Sequence, residues 1–147
     1  MSEQLGLRDH NPKPGLAKLY GRWAEGGIGL SMTGNIMIDR TALGEPKNVV
    51  LDEKSDLTEF KNWAEAGKKN GSHIWTQLNH PGKQIPNFIA EVPVAPSAIA
   101  LTRGLEKGFN KPRALLEDEI LDIIKKFATS AKHVSYTQLK LPTNREV

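Results

Sequence analysis

The spacing of hydrophobic residues predicts three amphipathic helices in this chain. Within residues 14–25, 56–69 and 117–134, apolar side chains recur at positions i, i+3, i+4 and i+7, which places them on one face of a helix. Pro14 suits the first turn of the first helix, because a first-turn residue needs no N–H for the helical hydrogen bonds. The pair Gly26-Gly27 then supplies a C-terminal stop for that helix.

Short apolar segments between these helices predict β-strands. Residues 28–32 (IGLSM) form one such segment, which we expect to be a buried strand that ends at Thr33-Gly34-Asn35. Residues 72–78 form a second, whereas the apolar pieces IMID and NVVL are shorter. Residues 79–114 are rich in proline and glycine and predict a long loop, with room for one short strand at VPVAP. The alternation of helices and strands predicts an α/β fold with a parallel sheet.

Polar residues follow both of the longer predicted strands. In parallel α/β folds, ligand-binding residues collect at the carboxyl ends of strands. Gly34 would let a flat ligand approach the backbone closely, although from this feature alone an ordinary turn glycine is the favoured interpretation. Gln77 offers one acceptor and two donors, a set that suits a ring carrying both N–H and C=O groups. Taken alone, His80 is more typical of a structural histidine and Lys83 of a solvated loop cation.

Composition and motifs exclude several other classes of function. The 147 residues carry a net charge of +3, without the clustered basic stripe that nucleic-acid binding requires. Cysteine is absent and the histidines lack metal-ligand spacing, so we assign neither a disulfide nor a metal site. Neither a GxGxxG nor a P-loop motif occurs. No apolar run reaches a membrane-spanning length and no secretory signal is evident, so we expect a cytoplasmic protein with no membrane partner.

Four blocks of the sequence together resemble one enzyme family. They read LYGRWAEGGIGLSMTGNIMIDRTALGEPKNVVL, FKNWAEAGKKNGSHIWTQLNHPGKQ, PVAPSAIAL and PRALLEDEILDIIKKFATSAK. In this order they are similar to the Old Yellow Enzyme family, the FMN-dependent NAD(P)H:flavin oxidoreductases. The segment WTQLNHPGK resembles the W-x-Q-L-x-H-P-G-R signature of one branch of that family. The resemblance extends over residues 1–132, nearly the whole chain.

The resemblance implies a fold, a cofactor and a site. The family folds as a TIM (β/α)8 barrel that holds FMN at its C-terminal mouth, and the flavin passes hydride from NAD(P)H to an activated alkene, typically an enone. Gly34 matches the small residue that lies against the isoalloxazine ring, and Gln77 matches the glutamine that hydrogen-bonds the pyrimidine edge of the flavin. His80 and Lys83 match a loop where the family usually has His and Arg. No flavin contact is implied for these two, and no catalytic residue of the family is matched.

The sequence also departs from the family pattern. Residues 1–3 match a position just after the family's first barrel strand, and neither the His-x-x-His or His-x-x-Asn pair nor the later strands have a match. Because a TIM barrel takes about 250 residues, we expect a partial barrel of two to three βα units, without the first strand and the C-terminal half. Leu116 stands where the family has a Ser or Thr N-cap, a loss of roughly 1 kcal/mol. We interpret residues 1–134 as an incomplete FMN-binding TIM-barrel segment and residues 135–147 as a divergent tail.

Three functional hypotheses remain open on these grounds. The first is an FMN-dependent NAD(P)H oxidoreductase of the ene-reductase type, with a small enone-type substrate. The second is a non-catalytic fragment that binds no flavin. The third is an interaction module whose exposed sheet edge pairs with another chain. We expect the chain to be inactive alone, because the segments that anchor substrate and flavin phosphate in the family have no match here.

Overall fold

A three-stranded parallel sheet forms the centre of the molecule. The computed structural model describes residues 2–137 and Leu139. Its strands are β1 (Leu30–Met37), β2 (Val49–Val50) and β3 (His73–Asn79), in the spatial order β2-β1-β3. A separate pair of short parallel strands joins β4 (Val94–Ala95) to β5 (Arg113–Ala114). The predicted α/β class with parallel sheets is therefore confirmed, and within the described residues the strands do not close into a barrel.

The three predicted helices are present. They are α1 (Pro14–Glu25), α2 (Leu57–Gly67) and α3 (Glu117–Tyr136), and short 3₁₀ turns span Lys69–Gly71 and Leu105–Lys107. Helix α1 has the predicted bounds, with Pro14 in its first turn. Helix α2 is shorter than predicted at both ends. None of the helices in the described part of the chain is both long enough and apolar enough to cross a bilayer.

Strand β1 differs from the prediction in a way that shapes the site. The expected end of the strand at Thr33-Gly34-Asn35 is wrong, because the strand continues through these residues to Met37. Met32 pairs with Trp75 and Asn35 pairs with Gln77, so that Thr33 and Gly34 together oppose one residue of β3. This arrangement is a β-bulge, which bends a strand and changes the direction of its side chains.

The core lies between the sheet and helices α1 and α2. Tyr20 of α1 and Trp63 of α2 are fully buried, and their rings meet edge to face with centroids 5.2 Å apart. The buried cluster comprises Leu16, Tyr20, Ile36, Val49, Leu51, Phe60, Trp63, Ala64, Ile74, Val134 and Leu139. By contrast, Leu30 and Met32 of β1 remain 42% and 43% exposed. The sheet is thus covered on the helical side and open along part of β1.

Helix α3 packs through its C-terminal half. Val134 and Ser130 are buried, and the Ser130 hydroxyl donates a hydrogen bond of 2.5 Å to the Leu51 carbonyl. The predicted apolar face is wrong for the N-terminal half, where Ile120 and Ile124 are 44% and 58% exposed. Leu116 provides no side-chain cap at the helix start, as expected from its sequence. Its own N–H is bonded, however, to the Glu119 carboxylate at 2.8 Å, so one of the terminal donors is satisfied.

The long segment after β3 contains the predicted short strand and an unpredicted partner for it. Strand β4 lies within VPVAP, and its partner β5 comes 19 residues later, just before α3. Asn110 supports this pairing by donating to the Glu91 carbonyl at 2.9 Å. Asn87 donates to the Lys107 carbonyl at 3.1 Å. These asparagine side chains therefore add to the backbone hydrogen bonds that hold the segment together.

Candidate functional site

A hydrogen bond at the bulge of β1 connects the parts of β1 and β3 that hold the predicted site residues. Thr33 is fully buried, and its Oγ1 accepts a hydrogen bond from the Gln77 backbone N–H at 3.1 Å. The same hydroxyl donates to the Gly34 carbonyl at 2.9 Å. A side chain thus replaces the ladder hydrogen bond that the bulge removes. As a result, Gly34 and Gln77 occupy neighbouring positions on adjacent strands.

The side chain of Gln77 is half-buried at the carboxyl end of β3. Although its backbone N–H is bonded to Thr33, its side-chain amide has no hydrogen-bond partner among residues 2–137 and Leu139. An amide that is half-buried and unpaired can offer one acceptor and two donors to a ligand. The structure therefore leaves the binding groups of Gln77 available.

Gly34 is buried at the tip of the bulge and is covered by residues near the N-terminus. Its backbone N–H donates to Glu3 Oε1 at 2.9 Å. A Cβ at position 34 would lie 2.9 Å from the Ser2 Cα and would collide with the Glu3 carboxylate. The absence of a side chain is therefore required for this close approach.

Tyr20 completes the surroundings of Gly34 from helix α1. Its hydroxyl donates a short hydrogen bond to the same Glu3 Oε1 that accepts from Gly34. The ring is held between Trp23 and Trp63, with centroid distances of 4.7 and 5.2 Å. Burial raises the pKa of Tyr20, and the neighbouring Glu3 carboxylate raises it further. Tyr20 therefore remains a protonated donor at neutral pH.

His80 follows β3 and lies in a different environment from Gln77. Its Nδ1 accepts a hydrogen bond of 3.2 Å from the Gly82 N–H, which leaves Nε2 to carry the proton of a neutral ring. Burial lowers the pKa of His80, and the attraction of Asp39 only partly opposes this. The ring lines a cavity of about 250 Å³ beneath the β4–β5 pair, together with Asp39 and Lys126. His80 is thus a neutral side chain at pH 7.

Lys83 and the acidic residues of this region are engaged in structural contacts. The Lys83 ammonium donates to the Ile99 carbonyl at 3.1 Å, within the long loop. Asp39, two residues after the end of β1, pairs with Lys126 of α3 at 2.5 Å. The described residues contain no group of three or more His, Cys, Asp or Glu side chains that could hold a metal ion.

A second concave surface runs along the open edge of β1. It has a volume of about 610 Å³ and is lined by Arg22, Trp23, Gly26, Gly27, Ile28, Leu30, Ser31 and Met32. On the side of β1 that faces away from β3, strand β2 pairs only with Ile36 and Met37. This edge therefore has no strand partner before the bulge in the described part of the chain. We refer to this surface as the β1 groove.

Three residues that shape the site could not be assigned to it from the sequence. Thr33 was assigned only to the end of its strand, and Tyr20 was assigned only to the apolar face of its helix. Glu3 lies in a polar segment without periodicity, and its partner Gly34 is 31 residues away. No local pattern could have revealed this contact.

Comparison with known proteins agrees with the fold. The family model described as the NADH:flavin oxidoreductase / NADH oxidase family matches residues 7–136. The NADH-dependent flavin oxidoreductase iliE of Hypocrea jecorina is 31% identical over 90% of this chain and 37% of its own length. The NADH-dependent flavin oxidoreductase nadA of Aspergillus parasiticus is 35% identical over 82% of this chain and 29% of its own length.

Solved structures of similar proteins superpose closely on the described fold. An Old Yellow Enzyme homologue from Zymomonas mobilis has a TM-score of 0.80 and 26% identity, over 95% of this chain and 40% of its own. Morphinone reductase in complex with tetrahydroNAD has a TM-score of 0.80 and 25% identity, over 95% of this chain and 41% of its own. The chain thus spans about two fifths of the length of these relatives or less. With a family match over most of its residues, this chain belongs to the NADH:flavin oxidoreductase / NADH oxidase family.

Proposed function

We propose that the carboxyl ends of β1 and β3 bind the isoalloxazine ring of FMN, with Gly34 against the ring and Gln77 hydrogen-bonded to its pyrimidine edge. The observation that carries this proposal is the hydrogen bond between Gln77 and Thr33, which keeps the two positions adjacent. When bound, FMN supplies hydride transfer from NAD(P)H to an activated alkene. In a protein that contains the rest of the family's length, we propose that this is the activity.

The side chain of Gln77 matches the chemistry of the pyrimidine edge. That edge carries both carbonyl oxygens and a ring N–H, so it needs donors and an acceptor close together. A glutamine amide presents both in one plane. No described residue bonds the side-chain amide of Gln77. A ligand would therefore gain these hydrogen bonds without breaking existing ones among residues 2–137 and Leu139.

The backbone at Gly34 suits the approach of a flat ring. A residue with a Cβ at this position would project into the space that Glu3 now fills. The Gly34 N–H also points into that space and is a donor for a ligand oxygen. Gly34 would therefore contribute a surface and a donor, whereas Gln77 would contribute recognition of the ring edge.

Other residues support these two indirectly. Thr33 fixes the bulge and Tyr20 supplies a second buried donor beside Gly34. We assign no flavin contact to His80 or Lys83, because both already bond within their own loop. The physiological substrate in this proposal is a small enone-type molecule, and the reductant is NADH or NADPH.

The proposal is tested by titrating FMN with the purified chain and following flavin fluorescence. We expect saturable quenching, and we expect Gln77→Leu to weaken binding about tenfold, equivalent to about 1.4 kcal/mol. Gln84→Leu is the matched control, because Gln84 is an exposed glutamine in the following loop. It should leave the affinity unchanged.

Two results would overturn the assignment. If folded chain gave no quenching at any concentration, the hypothesis of a fragment without flavin binding would be supported. If Gln77→Leu and Gln84→Leu bound FMN equally well, flavin would bind elsewhere on the molecule. Circular dichroism on each variant separates loss of binding from loss of structure.

The β1 groove favours a second candidate function, the pairing of this sheet edge with another chain. We propose that its occupant is an extended apolar strand, because the groove continues the sheet and exposes Trp23, Ile28, Leu30 and Met32 to between 40% and 43%. Exposed strand edges of this kind pair readily with a further strand. Arg22 at the rim favours an acidic residue at one end of the partner.

Trp23 provides the signal for testing this pairing. A synthetic peptide of alternating valine and threonine that ends in glutamate should shift the tryptophan emission of the chain. Leu30→Lys should abolish the shift, whereas Leu105→Lys, at an exposed leucine of the long loop, should not. Equal responses of both variants would contradict the proposal. Self-association without peptide would identify a second copy of the chain as the occupant.

A further inference from the structure

Residues 2–4 form a short strap over the bulge of β1. The Ser2 hydroxyl accepts a hydrogen bond of 3.1 Å from the Asn48 side-chain amide. Gln4 donates from its side chain to the Glu45 carboxylate at 3.3 Å. These two contacts hold the strap at each end and leave the Glu3 side chain between them.

Glu3 reaches two donors that belong to the proposed flavin site. Its Oε1 accepts from the Gly34 N–H at 2.9 Å and from the Tyr20 hydroxyl. Both donors are buried, and Tyr20 also remains within 3.4 Å of the Met32 carbonyl. Two convergent donors on one oxygen are the arrangement that recognises a carboxylate or carbonyl oxygen.

The strap adopts a backbone conformation that is held by its contacts. Gln4 has a φ of 50°, in the left-handed region that residues other than glycine rarely occupy. Such a conformation is retained only when the surrounding contacts outweigh its strain. Loss of the Glu3 contact would therefore favour movement of the whole strap.

We propose that the Tyr20 hydroxyl and the Gly34 N–H form a binding site for a ligand oxygen, and that Glu3 occupies this site as an internal ligand. A small carboxylate, or a carbonyl oxygen of the flavin ring, takes the same two donors only when Glu3 leaves. The competition with a carboxylate is independent of flavin. The competition with FMN rests on the proposed function.

The first test compares acetate binding to the intact chain and to Glu3→Ala by NMR, using the backbone amide of Gly34 as the reporter. Removal of the Glu3 carboxylate should leave the Tyr20 hydroxyl and the Gly34 N–H without this acceptor. Acetate should then shift the Gly34 amide of Glu3→Ala saturably, with an affinity at least about tenfold higher than for the intact chain. Glu3→Gln keeps an acceptor oxygen and should exclude acetate as the native residue does.

Two control variants test whether the acetate shift arises from the Tyr20 hydroxyl and the Gly34 N–H. Glu106→Ala removes an exposed carboxylate of the long loop and should behave like the intact chain. Adding Tyr20→Phe to Glu3→Ala removes one donor and should weaken acetate again. If folded Glu3→Ala showed no acetate shift at Gly34, or if the intact chain bound acetate equally well, the proposal would be wrong.

A second variant tests the strap if Glu3→Ala does not fold. Gly34→Ala adds the Cβ that would collide with the Glu3 carboxylate. The proposal predicts that the strap is released, with increased fast motion of the Gln4 amide in heteronuclear NOE measurements. An equally rigid Gln4 amide in Gly34→Ala would contradict the close contact.

FMN titration of the same variants separates this proposal from the proposed function. Glu3→Ala should bind FMN about tenfold more tightly than the intact chain, because no internal ligand competes. If Glu3→Ala binds acetate and neither protein binds FMN, the oxygen site stands and the proposed flavin function fails. If both bind FMN with equal affinity, Glu3 does not compete with flavin, and that part of the proposal fails.

Discussion

The Gln77 backbone N–H donates to Thr33 Oγ1 at 3.1 Å, and this hydrogen bond fixes two neighbouring strands at a bulge. Because Thr33 is fully buried, water cannot replace its hydroxyl if the side chain is changed. The bond also keeps Gly34 beside Gln77, the two residues assigned to flavin. The stability of the sheet and the geometry of the candidate site therefore depend on the same hydroxyl.

Thr33→Val should destabilise the fold by about 1–3 kcal/mol, because valine has nearly the same shape but leaves the Gln77 N–H unpaired. Chemical denaturation measures this change. Thr33→Ser is the matched control, since it keeps the hydroxyl and loses only a methyl group. Equal stability of Thr33→Val and the native chain would show that the bulge does not need the hydroxyl.

Substitution by alanine should have opposite effects on stability at two helical glycines. A Cβ on Gly67 would lie 2.8 Å from Ile74 Cδ1 and 3.3 Å from Ile74 Cβ, so Gly67→Ala should cost about 1–3 kcal/mol through overpacking. A Cβ on Gly21 would meet Ala66 Cβ at an ordinary 3.6 Å. Gly21→Ala should therefore stabilise α1 by up to about 1 kcal/mol. Thermal unfolding of both variants checks the pair, and the same sign for both would contradict the described packing of α2 on β3.

The ion pair between Asp39 and Lys126 predicts a loss of stability in acid. Burial opposes ionisation of Asp39, but hydrogen bonds from Lys126 and Thr41 outweigh it and lower its pKa. The folded state therefore favours the carboxylate. The resulting stabilisation is complete above the unfolded pKa of about 3.9 and is lost as the pH falls through the lower folded pKa.

Lys126→Met should make this dependence visible. Because the Lys126 side chain is 36% exposed, solvent screening limits the loss to about 1 kcal/mol at pH 7. The loss should be smaller at pH 3, because this pH lies below the unfolded pKa of about 3.9, where protonation begins to remove the contribution of the carboxylate. Urea denaturation at both pH values provides the measurement, and a loss that grows on acidification would contradict the ion-pair assignment.

Local sequence patterns were sufficient for the helices and for the class of fold. Helix α1 has its predicted bounds because Pro14 and the glycines after Glu25 mark its ends directly. The parallel sheet followed from the alternation of elements. Helix α3 shows the limit of periodicity, because Ile124 lies on an apolar stripe and is 58% exposed. A hydrophobic stripe indicates a helix, but it does not show whether a neighbour covers every turn.

The bulge and the strap depend on contacts between distant residues. Gly34 and Asn35 are turn-forming residue types, and the strand was predicted to end at Thr33-Gly34-Asn35. Pairing with β3 overrides this preference, because the Thr33 hydroxyl supplies the missing ladder bond. The roles of Gly34 and Gln77 came from the family resemblance and remain predictions. Glu3 could not be assigned to the site, because nothing near it in sequence indicates Tyr20 or Gly34.

The most direct test of the central claim is a titration of the isotope-labelled chain with FMN, followed by NMR. If the strand ends bind the flavin ring, the largest shifts should fall on the Gly34 amide and on the Gln77 backbone and side-chain amides. The Gln84 side-chain amide, in the exposed loop, should not move. Saturable shifts confined to Gly34, Gln77 and their neighbours are the predicted result. Binding that shifts other residues and leaves these unchanged, or no shift in the folded chain, would contradict the account.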